Sequence, residues 1–279
     1  SKHIDLDYPA SSQNLLAGYL RINSGDHFEQ NVKVTSMALY VIRGQGKTSL
    51  KDNGEIIWNE GDLMVIPYTG GEAIVHSVSN DQLEQSAALY YVHDGPLLRY
   101  LNVVPNGQAF TTTVFRAKVL KEKVASIREQ LGAEHRNRLG ALVGNPNTQE
   151  TKSLTHVLWA LMNVLPAKSM QKPHRHNAVA LDLVTYAPSG KCYTLIGEEL
   201  DENGNIVDPT KVEWKSGEAF STPLGLWHSH HNESDQEDAW ILPVQDAGLS
   251  LHQGLYDIRF PDEEWKRIKE KKVLRSIIY

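Results

Sequence analysis

His174 and His176 stand two residues apart in Lys172-Pro173-His174-Arg175-His176-Asn177, and His228 and His230 stand two apart later in the chain. Side chains on a strand alternate faces, so each pair aims both of its imidazoles the same way. Two strands could therefore bring four rings into one space. A His-x-His pair with a distant third His can hold a divalent transition metal and leave coordination positions open for a ligand. The residues read as metal-ligating are His174, His176 and His228. His228 sits in a run with turn-forming residues at fixed places, Gly217, Pro223, Gly225, His228 and Asn232, where Pro223 and Gly225 make the tight turn that delivers the ring.

The neighbours suggest further roles. Continuing the parity of the first His pair puts Ala178, Ala180 and Asp182 on the inward face. Ala180 would leave room for a ring-sized ligand. Asp182 could hydrogen-bond a substrate hydroxyl or act as a base, or it could be a barrel-end carboxylate tied to a backbone amide or an Arg. His230 shares the parity of His228, which makes it a fourth ligand or a donor beside the metal. Trp227 should pack beneath the site, and His231 and Asn232 should fix ring orientation and loop geometry.

The two blocks resemble the signature motifs of the cupin superfamily, whose members are jelly-roll β-barrels. The usual first motif carries a Glu four or five residues after its His pair; here Ala180 and Leu181 occupy those places. That departure matches the three-His subset, and Pro173 to His176, Trp227 to Ser234, and Asn145-Pro146-Asn147-Thr148 leading into 158–166 are similar to gentisate-type ring-cleaving dioxygenases. The resemblance implies a non-haem Fe(II) centre, with Mn, Ni or Zn as alternatives that imidazole also accepts. It implies a hydroxylated aromatic carboxylate of the gentisate, salicylate or hydroxynaphthoate type as substrate, dioxygen as co-substrate, and extradiol-type ring cleavage. His230 and Asp182 would be the catalytic and substrate-binding residues, with Ala180 lining the pocket. Two other readings stand beside it: a metal-dependent isomerase or lyase acting on a small polar acid or sugar, and a non-catalytic metal-containing binding protein.

The elements that must position these residues are short strands at regular spacing, which predicts an all-β chain of two tandem barrels with a few helices. An internal repeat supports the duplication. Residues 32–42 align over 174–184, and Trp58, Gly61, Asp62 and Pro67 align with Trp214, Gly217, Glu218 and Pro223. In that alignment Val32 and Val34 replace His174 and His176, and His76 reads as a satisfied core or rim histidine or as the relic of the third ligand. The first barrel is therefore expected to be metal-free. The expected boundaries are 1–117 for this barrel, 118–152 for a helical linker, 153–260 for the metal-binding barrel, and 261–279 for a charged helix and an apolar tail packed on the barrels or on another subunit. The linker helix should cover 118–130, ended by Gly132, and Arg136-Asn137-Arg138 reads as a solvated turn whose charge could steer an anion.

Composition narrows the partners. The 28 basic and 34 acidic residues, net −6, give no footprint for nucleic acid or an anionic membrane. A single Cys, Cys192, excludes an internal disulfide and suits a buried structural thiol. No long apolar run is present, so the chain is expected to be cytoplasmic, to bind a small molecule, and to form a homo-oligomer, a dimer or tetramer.

Overall fold

Runs of β-branched and aromatic residues broken by Gly, Asn and Asp favour short antiparallel strands over helix. The computed structural model describes residues 6–51, 54–80, 86–261 and 277–278. The first half holds β1 (Leu16–Ile22), β2 (His27–Gln30), β3 (Ser36–Arg43), β4 (Gln45–Leu50), β5 (Gly54–Asn59), β6 (Leu63–Pro67), β7 (Ile74–Ser77), β8 (Ala87–His93), α1 (Gly95–Leu101) and β9 (Thr113–Phe115). Its sheets run β1-β8-β3-β6-β9 and β2-β7-β4-β5.

Helix α2 (Ala117–Arg128) leads into the second half. There follow β10 (Leu139–Val143), β11 (Trp159–Leu165), β12 (Ser169–His176), β13 (Ala180–Tyr186), β14 (Cys192–Gly197), β15 (Thr210–Glu213), β16 (Ala219–Thr222), β17 (Trp227–Asn232), β18 (Ala239–Gln245), α3 (Gly248–His252), β19 (Ile258–Arg259) and β20 (Ile277–Ile278). These strands form sheets in the orders β16-β13-β18-β11-β10-β20 and β15-β14-β17-β12-β19. Each half is a barrel of two facing sheets, the all-β tandem arrangement that the spacing predicts.

The strands at the middle of the molecule are buried on both faces, which explains why they read as unbroken apolar runs. On β3, Met37, Leu39 and Val41 pack inside the first barrel with Trp58 and Met64. Ala38 faces the other way and joins a core with Leu63, Val65, Leu181, Leu183, Leu242 and Val244. The barrels thus pack sheet against sheet, and α2 adds Leu120, Val124 and Ile127 to the same core. Its apolar stripe at helical spacing is what this position requires. The expected charged helix from residue 261 lies outside the described residues after Pro261. Of the apolar tail, Ile277–Ile278 pair in parallel with Leu142 and Val143 at the edge of the second barrel.

Matching backbone contacts reveal the duplication and correct its register. Gly61 N donates to Val41 O and Val41 N to Asp62 O, while Gly217 N donates to Val184 O and Val184 N to Glu218 O. Val41 therefore corresponds to Val184, one residue away from the sequence alignment. Thr48 pairs with His76 on β4 and β7, as Thr194 pairs with His230 on β14 and β17. His76 is thus the counterpart of His230, whereas Ile74 stands where His228 does. Gln30 lies opposite Ile74 as His174 lies opposite His228, so Val32, two residues on, falls at the place of His176. The structural register departs from the sequence alignment by two residues at the histidines, and the bulge that β12 carries between Gln171 and His174, absent from β2, accounts for one of them.

Candidate metal centre

Strands β12 and β17 are hydrogen-bonded neighbours, and His174 pairs directly with His228. Four imidazoles meet inside the second barrel as a result. The ring centres of His174 and His228 are 4.2 Å apart, those of His176 and His228 4.9 Å, and those of His228 and His230 5.7 Å. All four residues are buried. Burial holds every one of these rings well below the ordinary imidazole pKa, His176 at about 4 and His230 at about 3, with the Arg138 charge adding to the effect at both. Neutral imidazoles are the form a metal requires.

Proton accounting separates their roles. Nδ1 of His174 lies 3.0 Å from Lys172 O, Nδ1 of His176 2.7 Å from Ala178 O, and Nδ1 of His228 3.1 Å from Leu226 O. A carbonyl only accepts, so each Nδ1 carries the proton and each Nε2 presents a lone pair. His230 is held the opposite way. Trp214 Nε1 donates to Thr194 Oγ1 at 2.8 Å, and His230 Nδ1 lies 2.8 Å from that same oxygen. With its oxygen already accepting from the indole, the Thr194 hydroxyl proton is satisfied by pointing at His230 Nδ1. In that arrangement the His230 proton is on Nε2.

Proximity favours another grouping: ring nitrogens of His174, His228 and His230 all lie within 4.8 Å of one another. The two groupings share His174 and His228 and differ in whether His176 or His230 completes the set. The first barrel bears on it too. Trp58 Nε1 donates to Thr48 Oγ1 at 2.9 Å, and Thr48 Oγ1 lies 2.8 Å from His76 Nδ1. The Trp-Thr-His chain thus recurs where His230's counterpart has Gln30 Oε1, 3.3 Å from its Nε2, and no second imidazole.

The donor set suits a first-row transition metal, since three oriented Nε2 lone pairs leave positions free. The group currently facing them is polar. Arg138 Nη2 donates to His174 Nε2 at 2.7 Å, so this arginine rotamer and a cation on His174 exclude each other. Gln245 Nε2 lies 3.2 Å from His176 Nε2, its amide fixed by Tyr256 OH, which donates to Gln245 Oε1 at 3.0 Å.

Ala180 and Asp182 line the cavity with Arg138, Gln171 and His230. Ala178 instead packs with Trp159, Leu161 and Tyr256. With Arg138 in place the cavity volume is about 10 Å³, room for a water rather than the ring-sized space expected from the two alanines. Asp182 Oδ2 accepts from Thr222 Oγ1 at 2.5 Å. Burial raises its pKa to about 6, against the lowering effects of Thr222 and Arg138. A carboxyl whose folded pKa exceeds its unfolded one stabilises the fold while protonated and loses that contribution as pH rises to the folded value. In metal-free protein, Asp182→Asn should therefore be more stable than wild type above pH ~6, by up to about 3 kcal/mol, with the gap closing toward pH ~4. Urea unfolding across that range checks this; a gap independent of pH would mean an unperturbed Asp182.

Arg138 is not the solvated residue that its turn-like neighbours suggest. Asn137 clamps the edge of β12, accepting from Lys172 N at 2.6 Å and donating to Lys172 O at 3.3 Å. That clamp starts β10 beside the His-x-His strand and turns the next side chain inward. Gln171 also escapes a parity count, which moves back from His174 to Lys172; the bulge puts Gln171 inside instead. Trp227 is half-buried with the Arg175 guanidinium 4.8 Å above its ring, outside the cavity. Cys192 is buried among Leu165, Val184 and Trp214, and burial pushes its thiol up to about 11, which suits a structural role.

Two barrels packed sheet to sheet, the second with imidazoles gathered from two neighbouring strands, give this chain a tandem cupin-type β fold. No family model matches it. Salicylate 1,2-dioxygenase from Pseudoaminobacter salicylatoxidans superposes with a TM-score of 0.67 at 14% identity, over 91% of this chain and 77% of that one. A variant of the same enzyme in complex with gentisate gives 0.69 at 15%, over 91% and 75%. Vicilin from hazelnut, Corylus avellana, also matches, at 0.52 and 12% identity over 84% of this chain and 75% of that one, so the fold alone does not assign the chemistry. Among curated proteins, gentisate 1,2-dioxygenase 1 of Aquipseudomonas alcaligenes is 25% identical over 183 residues, 64% of this chain and 48% of that protein. The 5-aminosalicylate 1,2-dioxygenase of a Comamonas species is 24% identical over 115 residues, 41% of this chain and 27% of that protein. The chain thus spans about half or less of the length of these curated relatives. No helix among the described residues is long and apolar enough to cross a membrane.

Proposed function

We propose that this chain is a metal-dependent dioxygenase that cleaves the ring of a hydroxylated aromatic carboxylate beside the carboxylate-bearing carbon. The observation that carries the reading is the meeting of four buried imidazoles, three of which hold Nδ1 against a backbone carbonyl and so turn Nε2 toward one space while the fourth rests on Thr194. His174, His176 and His228 would hold the metal, with Fe(II) the species that matches dioxygen chemistry. When bound, such an ion would supply a Lewis-acidic centre at which an aromatic acid, through its carboxylate and neighbouring hydroxyl, and dioxygen can be brought together.

The protein's own groups do the rest. Arg138 is the cation available to a substrate carboxylate, and that anion gives its guanidinium a better partner than His174 Nε2. Its departure also opens the space that a ring needs. His230 offers its Nε2 proton to an oxygen on the ligand, and Asp182, with a pKa of about 6, can take a proton from a ring hydroxyl at neutral pH. The barrel excludes bulk water, which strengthens each of these interactions.

The test is metal analysis followed by oxygen uptake on gentisate, salicylate and hydroxynaphthoate. One ion per chain and ring-opened product from one of these acids are expected. Iron-loaded protein that consumes no oxygen with any of them would remove the dioxygenase reading. The cavity of about 10 Å³ is the observation that favours a smaller ligand; turnover of a small polar acid without oxygen uptake would establish that isomerase or lyase reading instead.

A further inference from the structure

Gln171 is 2% exposed, lines the cavity, and has no hydrogen-bond partner at either Nε2 or Oε1. Asn163, also 2% exposed and lining the same cavity from the facing sheet, has an unpartnered Oδ1. Buried amides are almost always satisfied, because an orphaned donor or acceptor in a dry interior keeps its desolvation cost with nothing to offset it. Here three such atoms face one space. Every other buried polar group of the centre has a partner: His230 has Thr194, Asp182 has Thr222, and Gln245 has Tyr256.

The cause lies in the bulge of β12. Without it, the residue facing inward before His174 would be Lys172, a cation; with it, a neutral amide faces in and pairs across the ladder with His230. An amide's two atoms offer a donor and an acceptor, and exchanging them leaves the inventory unchanged. With the Asn163 oxygen from the facing sheet, the cavity presents two unpartnered acceptors and one N–H₂ group, all uncharged. A carboxylate fits poorly against two carbonyl oxygens. A hydroxyl can donate to one and accept from the N–H₂, and a primary amine can donate to both.

We propose that Gln171, with Asn163 beside it, forms a neutral subsite that selects ligands bearing a hydroxyl or amino substituent in addition to the carboxylate and hydroxyl that the charged groups would take. The inference rests on the proposed aromatic-acid reading of the same cavity. Gln171 is a specificity-determining residue on this view, and the barrel does not need its amide for folding.

The test is Gln171→Met, which keeps length and removes both polar atoms. In ligand-free protein the variant should melt about 2–4 °C higher than wild type, because two orphaned groups are gone. Zinc-loaded protein, which does not turn over, is then titrated calorimetrically with gentisate, 5-aminosalicylate and salicylate. Wild type should bind the first two at least ~10-fold more tightly than salicylate, one hydrogen bond's worth, and the variant should lose that gap while keeping its salicylate affinity. A lower melting point would mean that the amide serves the fold, and an unchanged preference would mean that it does not touch the ligand; either result overturns the subsite. Wild type that binds the three acids alike removes the subsite and leaves the aromatic-acid reading standing. Wild type that binds none of them removes both.

Discussion

Replacing His174, His176 or His228 by Ala is expected to abolish stoichiometric metal, and replacing His230 by Ala is expected to leave metal bound while turnover falls by ~10² or more. The difference follows from where the protons sit. Three of these rings donate Nδ1–H to backbone carbonyls and so offer Nε2. Each is backed by main chain that the barrel ladder fixes, so losing one leaves a two-ligand site. His230 instead rests its Nδ1 on the Thr194 hydroxyl, which Trp214 holds in place. Metal content by elemental analysis, read alongside activity, checks the split. Metal retained by His176→Ala and lost by His230→Ala would reverse the assignment in favour of the closest-packed trio.

Arg138→Met should cost the substrate carboxylate its counter-charge and lower kcat/KM by ~10² to ~10³, the effect of leaving one member of a desolvated charge pair alone. Metal affinity should not fall, and it should rise slightly, because the competing hydrogen bond to His174 Nε2 is removed. A loss carried mainly by KM would place Arg138 in binding, whereas a collapse of kcat with unchanged KM would place it in the chemistry. If kcat/KM stays within a factor of about two, the guanidinium is a structural plug and the carboxylate is read elsewhere.

Much of the site was legible without coordinates because strand parity is a local property. Two His-x-His-type pairs imply two strands and one shared face, and the Gly217, Pro223 and Gly225 positions imply the turn that delivers His228. The duplication could also be read, since Trp58 and Trp214 precede glycine turns of one kind. What parity cannot see is a bulge. The extra residue between Gln171 and His174 contributes to the shift that puts Val32 in the place of His176 rather than His174, whereas His76, on a strand the bulge does not touch, stands in the place of His230 rather than His228 by its pairing with Thr48. The bulge also hid Gln171. Arg138 was missed for a different reason: a side-chain clamp from Asn137 to Lys172, across a long stretch of chain, turns it inward.

The sequence by itself determined that this protein is all-β, that it is built twice over, and that its second half carries imidazoles on two strands able to share a face. These follow from side-chain spacing and residue type, which folding does not alter. Only the tertiary structure decided which nitrogen of each ring bears the proton, which arginine fills the cavity and which amide is left without a partner. Those depend on what each atom meets across the barrel, and contacts between residues far apart in the chain leave no mark on the spacing of either one.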